Sequence, residues 1–316
     1  MNKPLLQVTD LKKYYTHGKS TVKAVDGVSF HIEQGSTLAL VGESGCGKST
    51  TGRLLLRLAG SKTDGQVLFR GQDLYALGRE SLRRLRPKMQ LIFQDPFSSL
   101  SPRMPIGELI AEGVREHGIV PRQETAAYVA KMLDRCGLTA GCQSRYPHEF
   151  SGGQRQRIAI ARALSLQPEF VVCDEPVSAL DVSVQAQIVN LLQQLQQEYG
   201  LSYLFISHDL SVVEHLCDRV AVMYLGRIVE MADTDQLYRQ PLHPYTRALF
   251  SAIPQPDPDK PLQPELLSGA VPSPAAVPPG CRFHTRCPYA MEVCRRSDPE
   301  LTEVAPGHFC ACHLQS

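Results

Sequence analysis

Two stretches near the start of the chain, residues 5–9 and 21–32, alternate apolar and polar side chains, and this period of two predicts half-buried strands. Three shorter runs are apolar throughout, at Thr37–Val41, 171–173 and 203–206. Continuous apolar runs of this length are typical of buried strands in parallel sheets. The first of them leads directly into a glycine-rich loop, so candidate chemistry follows the end of a predicted strand.

Apolar residues recur at helical spacing between these strands. Residues 49–59 and 184–199 each predict a helix with one apolar face. Residues 105–140 combine helical spacing with few strand-forming residues, which predicts an inserted helical subdomain. Strands that alternate with helices predict an α/β fold with a parallel sheet. The two apolar faces are expected to contain Leu54, Leu55 and Leu58 in the first helix and Ile188, Leu191, Leu192 and Leu195 in the second.

The composition is that of an ordinary globular protein. The 316 residues are 43% hydrophobic and 21% charged, and the net charge of +1 gives no whole-molecule reason to bind nucleic acid or an anionic membrane. No apolar run reaches the roughly 18 residues of a membrane-spanning helix, and the start of the chain is too polar for a signal peptide. We therefore expect a cytosolic chain that reaches a membrane only through partners.

The composition changes near residue 253. Nine of the 23 prolines lie between Pro254 and Pro279, which is too many for a helix or a central strand. We expect an extended linker over residues 253–280, followed by a cysteine-rich segment over 281–316.

The ten cysteines fall into two groups. Cys46, Cys136, Cys142, Cys173 and Cys217 are scattered, and we expect them to be buried thiols that pack as small apolar side chains. The other five crowd the last 36 residues, which in a reducing compartment suggests a metal rather than disulfides. Their wide spacing lacks the Cys-x-x-Cys knuckle usual for structural zinc and suits an iron–sulfur cluster, with Zn²⁺ and no metal as the alternatives. They are Cys281, Cys287, Cys294, Cys310 and Cys312.

The sequence Gly42-x-x-x-x-Gly47-Lys48-Ser49 stands between a predicted strand and a predicted helix, the context in which this pattern indicates a phosphate-binding loop. Glycines allow backbone N–H groups to surround phosphate oxygens, and the helix N-terminus adds partial positive charge. We expect Lys48 to reach the β- and γ-phosphates of ATP and the Ser49 hydroxyl to ligate Mg²⁺. A chance match in a glycine-rich loop is the alternative. The candidate ATP-binding residues are Gly42, Glu43, Ser44, Gly45, Cys46, Gly47, Lys48, Ser49 and Thr50.

Two adjacent acids end the apolar run at residues 170–173. We expect Asp174 to hold Mg²⁺ through water and Glu175 to polarise the attacking water. Two acids at a strand end are weak evidence alone, and they become strong evidence beside a phosphate-binding loop.

A second candidate phosphate site is Ser151-Gly152-Gly153-Gln154, which precedes a long helix-like run. Serine and glycine at a helix start expose backbone N–H groups to an anion, although an ordinary helix-capping turn has the same composition. One ATP can use both phosphate sites only if a second protomer supplies the other one.

The three segments, in this order, resemble the ATP-binding cassette (ABC) ATPases over roughly residues 5–250. The resemblance implies an ABC-type P-loop nucleotide-binding domain over 1–252, with its helical subdomain at about 105–165. It also implies pairs of cassettes joined head to tail, in which each ATP lies between the phosphate loop of one protomer and residues 151–154 of the other.

The resemblance further implies roles for single residues. Tyr15 lies where the family has an aromatic side chain that stacks on adenine. Gln94 matches the glutamine that senses Mg²⁺ and the attacking water, and His208 matches the histidine that contacts the γ-phosphate. Taken alone, a histidine after an apolar strand is more often structural.

Residues 151–154 match the signature loop of these ATPases, with Phe150 where leucine is usual, and 178–181 match the loop that communicates across the pair. A single cassette without membrane spans implies separate partners. These are a second, different ABC ATPase subunit, two transmembrane permease subunits and a solute-binding protein outside the membrane. Residues 94–103 and 145–149 lie where the family docks a membrane subunit, so we expect the chain at the cytoplasmic face of the plasma membrane.

The end of the chain narrows the family. Residues 241–249, the proline-rich linker and the cysteine-rich segment resemble the ATPase subunits of oligopeptide and dipeptide importers, and most of all those of dipeptide importers. This resemblance implies a [4Fe–4S] cluster in the cysteine-rich segment, and Zn²⁺ is the alternative. An importer of nickel, glutathione or another small solute is the alternative within transport, and a soluble ABC ATPase acting on nucleic acid is the alternative outside it. The implied cluster ligands are Cys281, Cys287, Cys294 and Cys312, with Cys310 as a bystander.

Overall fold

The chain divides into two compact units in the computed structural model. The residues that the structure describes are 4–18, 20–95, 99–252, 267 and 269–315. The first unit consists of residues 1–32, 37–75 and 207–316, and the second unit consists of residues 33–36 and 76–206.

The first unit contains two groups of paired strands. One group is antiparallel, in the order β2-β1-β4-β5, and the other has the order β11-β12-β10-β9-β3, in which only the β9–β3 pair is parallel. The strands are β1 (Leu6–His17), β2 (Ser20–Ile32), β3 (Thr37–Val41), β4 (Asp64–Phe69), β5 (Gln72–Asp73), β9 (Arg219–Tyr224), β10 (Arg227–Asp233), β11 (Thr302–Ala305) and β12 (His308–Cys310). The helices are α1 (Lys48–Leu55), α7 (Leu210–Leu216), α8 (Thr234–Arg239), α9 (Pro244–Ser251) and α10 (Glu292–Arg296).

The second unit combines parallel strands, in the order β8-β7-β6, with helices. Phe170 pairs with both Met89 and Ser202, which fixes the register of the three strands. The strands are β6 (Met89–Ile92), β7 (Phe170–Asp174) and β8 (Ser202–Ser207). The helices are α2 (Arg79–Leu85), α3 (Ile106–Glu116), α4 (Thr125–Arg135), α5 (Gly152–Leu164) and α6 (Val182–Tyr199), with short 3-10 turns at Arg86–Lys88, Arg122–Glu124, Ala140–Ser144 and Pro147–Glu149.

The predicted buried strands are confirmed, because β3, β7 and β8 are buried along their whole length. The helical character of residues 105–140 is also confirmed by α3 and α4. Helix α6 buries Ile188, Leu191, Leu192 and Leu195, as its spacing predicts. It ends at Gly200, whose φ of 64° is the left-handed conformation that glycine adopts without strain.

The prediction for the first helix is wrong at its end. Helix α1 stops at Leu55, and Leu58 is 48% exposed rather than part of the buried face. The reason is the backbone at Arg57, whose φ of 52° cannot continue a right-handed helix. Leu54 and Leu55 are fully buried, so the rest of the face is confirmed.

The C-terminal part of the chain is described only in part. Residues 253–266 and 268 of the predicted linker lie outside the described residues, and residues 269–280 contain neither helix nor strand. The five scattered cysteines are buried free thiols, which confirms that prediction. In the ranges that the structure describes, none of the helices has the length and apolar character needed to span a bilayer.

Candidate functional site

The predicted phosphate loop connects β3 to α1, and two of its glycines are required by the backbone. Gly42 has a φ of 147° and Gly47 a φ of 109°. A Cβ atom on Gly42 would lie 2.1 Å from the carbonyl oxygen of Met223, and one on Gly47 would lie 2.1 Å from that of Ala24. Both conformation and space therefore exclude any larger residue at these two positions.

Lys48 folds back over this loop. Its ammonium donates hydrogen bonds to the carbonyl oxygens of Gly42, at 2.7 Å, and Glu43, at 3.1 Å, and the residue is 5% exposed. A buried ammonium held by carbonyls at the start of a helix creates a positive site that suits a phosphate. Nearby Cys46 does not supply a reactive thiolate, because burial raises the pKa of its thiol.

The structure distinguishes Tyr15 from its neighbour Tyr14. The Tyr14 hydroxyl donates a hydrogen bond to Asp26, and burial together with this carboxylate raises the pKa of Tyr14 to about 12. Tyr15 is 44% exposed, and the Lys13 ammonium lies 4.9 Å from the centre of its ring. Tyr15 thus offers a ring face to a ligand, while its role in stacking on adenine stays a prediction.

In the second unit, two of the predicted catalytic residues are in contact. Asp174 ends β7 and is 2% exposed, and Glu175 follows it with a φ of 48°. The Gln94 side-chain amide donates a hydrogen bond to the Glu175 carboxylate at 2.9 Å. A positive φ is uncommon for glutamate, and such backbone strain is concentrated at functional sites. The strain is compensated in part because the Glu175 N–H donates to the carbonyl of Ile206 at 3.0 Å.

The oxygen donors proposed for Mg²⁺ fit that cation. The Ser49 hydroxyl stands in the first turn of α1, and the Asp174 carboxylate stands at the carboxyl end of a buried parallel strand. A hydroxyl and a carboxylate are hard oxygen ligands, and Mg²⁺ usually binds one or two such groups together with phosphate and water.

The predicted signature loop caps helix α5. The Ser151 hydroxyl accepts from the Gln154 N–H at 3.4 Å, and the Gln154 side-chain oxygen accepts from the Ser151 N–H at 3.0 Å. This capping box is the helix-capping turn named above as the alternative, and it leaves the N–H groups of Gly152 and Gly153 at the helix start. Phe150 is buried, as expected for a residue in place of leucine. The role of the loop toward a nucleotide stays a prediction.

Two further predicted segments have local structural partners. The Ser178 hydroxyl, in the loop 178–181, donates to the carbonyl of Glu175 at 3.1 Å, which ties this loop to the end of β7. His208 is exposed and stands just before Asp209, whose carboxylate caps helix α7 by accepting from the Ser211 N–H at 3.0 Å. Of residues 94–103, those at 96–98 lie outside the described residues.

The four predicted cluster cysteines are all free thiols that are at least partly buried. Burial raises the pKa of the Cys281 thiol to about 11, and the charges of Cys294, Cys312 and Cys287 raise it as well. The Cys281 N–H also donates to the carbonyl of Cys294 at 2.8 Å. Even so, nowhere in the described ranges do three or more His, Cys, Asp or Glu residues form a group that could hold a metal ion. Cys310 is buried in β12 opposite Glu230.

The sequence reasoning missed two ion pairs between the start and the end of the chain, each with a buried arginine. The guanidinium of Arg286 pairs with Glu43 of the phosphate loop, and that of Arg282 pairs with Asp26. Burial opposes ionisation of Asp26, but hydrogen bonds from Tyr14 and Arg282 lower its pKa overall. The only sequence signal was the position of Arg282 and Arg286 between Cys281 and Cys287, and nothing in the sequence indicated their partners.

Comparisons with known proteins identify the family and the fold. Residues 25–178 match the ABC transporter family, and residues 229–294 match the C-terminal region of oligopeptide/dipeptide transporters. The oligopeptide transport ATP-binding protein OppF of Escherichia coli is 53% identical over 97% of this chain and 92% of its own, and AppF of Bacillus subtilis is 52% identical over 99% and 98%. The ATP-binding cassette MJ0796, solved as a dimer in a post-hydrolysis state with ADP and phosphate, superimposes with a TM-score of 0.66 at 26% identity, covering 72% of this chain and 98% of its own.

Proposed function

The chain belongs to the ATP-binding subunits of the ABC transporters for oligopeptides and dipeptides, and we propose that it hydrolyses ATP to drive peptide import through separate permease subunits. The observation that carries the proposal is the 2.9 Å contact between Gln94 and Glu175 at the end of a buried strand. A carboxylate held in place by an amide is suited to orient and polarise an attacking water.

Each predicted ATP-site residue has a proposed part in the reaction. The Lys48 ammonium and the N–H groups of residues 42–47 bind the β- and γ-phosphates, and Tyr15 stacks on adenine. Glu175 polarises the attacking water, and Gln94 and His208 hold the reacting groups in position. Bound Mg²⁺, held by Ser49 and Asp174, would neutralise phosphate charge.

Replacing Glu175 by glutamine tests the proposal. Glu175→Gln keeps the shape of the side chain but cannot accept a proton from water, so we expect unchanged ATP affinity and hydrolysis slower by about 10²–10⁴-fold. Phosphate release and ATP binding would be measured on the chain co-purified with its importer subunits. Glu169→Gln is the matched control, because Glu169 precedes the same strand and pairs with Lys88 at 3.5 Å. Near-normal hydrolysis by Glu175→Gln would contradict the assignment.

We propose that the chain works at the cytoplasmic face of the membrane with three kinds of partner. These are two permease subunits, a solute-binding protein and a second, different cassette with which it forms a heterodimer. The match to peptide transporters supports the permease and solute-binding partners, and the two separate predicted phosphate-binding segments, residues 42–50 and 151–154, support a second cassette. Among peptide importers, those for dipeptides are the proposed subclass, and competition for import by dipeptides but not by nickel or glutathione would support it.

We also propose that Cys281, Cys287, Cys294 and Cys312 ligate a [4Fe–4S] cluster. The backbone hydrogen bond from the Cys281 N–H to the Cys294 carbonyl, at 2.8 Å, and the partial or full burial of all four side chains support the proposal. In the described conformation they form no group that could hold a metal ion, so the thiols would have to turn toward a common centre. Iron and sulfide analysis of protein purified without oxygen decides the matter, and stoichiometric zinc without iron would contradict the cluster.

A further inference from the structure

The phosphate loop contains an acidic side chain, Glu43, which is paired with Arg286 of the cysteine-rich segment. Two guanidinium nitrogens of Arg286 donate to the two carboxylate oxygens of Glu43, at 2.8 and 3.0 Å. The Arg286 side chain is 7% exposed and that of Glu43 is 26% exposed. A bidentate pair that is largely shielded from water is among the stronger kinds of ion pair.

The residues shortly before Arg286 are held in place by contacts within the first unit. The preceding Arg282 donates to the Asp26 carboxylate and to the carbonyl of Leu225, both in the first unit. Phe283 is 1% exposed and packs edge-on against Tyr224, with the ring centres 5.4 Å apart. Two residues shortly before Arg286 therefore belong to the core of the unit that carries the phosphate loop.

Two more contacts join the phosphate loop to the C-terminal part of the chain. The Glu43 N–H donates to the Tyr245 hydroxyl at 2.8 Å. Residues 43–46 and 271–274 line one cavity of about 220 Å³. The side chain of Glu43 is thus held by the cysteine-rich segment, and its backbone is held by Tyr245 of helix α9.

The charge of Glu43 requires compensation if the loop binds a nucleotide. Within residues 42–50 the ionisable side chains that carry charge are Glu43 and Lys48, so the loop alone has no net charge. A carboxylate in this position repels the polyphosphate of ATP, and a low-dielectric setting strengthens the repulsion. Arg286 restores a net positive charge to the site.

We propose that Arg286 is a positioning residue for the nucleotide. It neutralises Glu43 and holds its side chain away from the phosphates, so that the cysteine-rich segment sets the affinity of the phosphate loop. This inference rests on the proposed function of the loop as the ATP site.

The test measures the dissociation constant of MgADP by calorimetry for the full chain and its variants. Arg286→Gln leaves Glu43 unpaired, and we expect MgADP affinity to fall on the order of tenfold. Glu43→Gln removes the repulsive charge and keeps Arg286, so affinity should be higher, and an unchanged or lower affinity would contradict the charge argument. The double variant Glu43→Gln with Arg286→Gln has the same net charge at the site as the wild type, so it should recover the affinity of the wild type.

The opposite effects of the two single variants separate this role from a merely structural one. A structural clamp predicts that both single variants weaken binding and that the double variant is no better than Arg286→Gln, and that result would overturn the proposal. If Arg286→Gln does not fold, Glu43→Gln alone decides, since weakened binding contradicts the charge argument. Lys48→Ala tests the ATP site itself. If Lys48→Ala binds MgADP as tightly as the wild type, the proposed ATP site and this inference are both overturned. If Lys48→Ala binds weakly and Arg286→Gln binds normally, the inference alone is overturned.

Discussion

His243 is a buried histidine that the ATP chemistry does not use. It is 1% exposed and precedes helix α9, where its Nδ1 accepts a hydrogen bond from the Tyr245 N–H at 3.1 Å. The backbone N–H of His243 donates to the buried carboxylate of Glu230 at 2.9 Å. An imidazole that accepts at Nδ1 is neutral and carries its proton on Nε2. This side chain therefore caps a helix only while it remains unprotonated.

The state of His243 predicts a pH dependence of stability. Burial, with a smaller effect from Arg247, lowers its pKa from 6.5 to about 3. Because the unfolded chain takes up this proton below pH 6.5 and the folded chain does not, the free energy of unfolding should decrease as pH falls from about 6.5 toward 3. His243 should contribute a slope of about 1.4 kcal/mol per pH unit within this window.

Urea unfolding between pH 7.5 and 5 would measure this slope. His243→Asn keeps a helix-capping side chain that does not titrate, so it should flatten the curve while lowering stability at neutral pH. His215→Asn, at an exposed position, is the matched control and should leave the slope unchanged. Equal slopes for the wild type and His243→Asn would contradict the assignment.

Single residues were predictable where a short pattern defines the chemistry. Lys48, Asp174 and Glu175 stand in such patterns, and the structure places them at a helix start and a strand end. The contact between Gln94 and Glu175 was implied only by resemblance, because the two residues are 81 positions apart. The positive φ of Glu175 was not predictable, since glutamate has no local preference for that conformation.

Elements were predictable in proportion to how completely they are buried. Strands β3, β7 and β8 are apolar on both faces, so their sequences show them without a partner strand. Strands β11 and β12 escaped prediction because they have four and three residues, too few to show a period. The end of α1 was also predicted wrongly, because Leu58 keeps the helical spacing although the backbone has already left the helix at Arg57.

At the scale of the molecule, the sequence separates parts that the fold brings together. Glu43 and Arg286 are 243 positions apart, and Asp26 and Arg282 are 256 positions apart. No local pattern reports such pairs, so the predicted division into an ATP-binding part, a linker and a cysteine-rich segment gave no reason to expect contact between the first and the last. The structure instead includes the end of the chain in the unit that carries the phosphate loop.

The proposed heterodimer predicts that each ATP site is shared between two chains. Lys48→Ala removes the phosphate-binding ammonium from one site, and Gly152→Asp adds a carboxylate to the signature loop that serves the other. Residue 152 can accept a side chain, because a Cβ atom there would lie 3.4 Å from Leu180, an ordinary contact. When both changes are in this chain, each damages a different ATP site, so both sites should be lost. When Lys48→Ala is in this chain and the signature change is in the partner cassette, both changes fall on the same site, so only one site should be lost.

Retained ATP per pair, counted in the Glu175→Gln background after removal of free nucleotide, distinguishes these arrangements. We expect about two ATP for the intact pair, about one when the two substitutions lie in different chains and none when both lie in this chain, because a head-to-tail pair has two junctions. Equal losses for the split and combined substitutions would show that each chain holds its nucleotide alone. Full retention by this chain without the second cassette would show that it pairs with itself, since both halves of each site would then come from the same sequence.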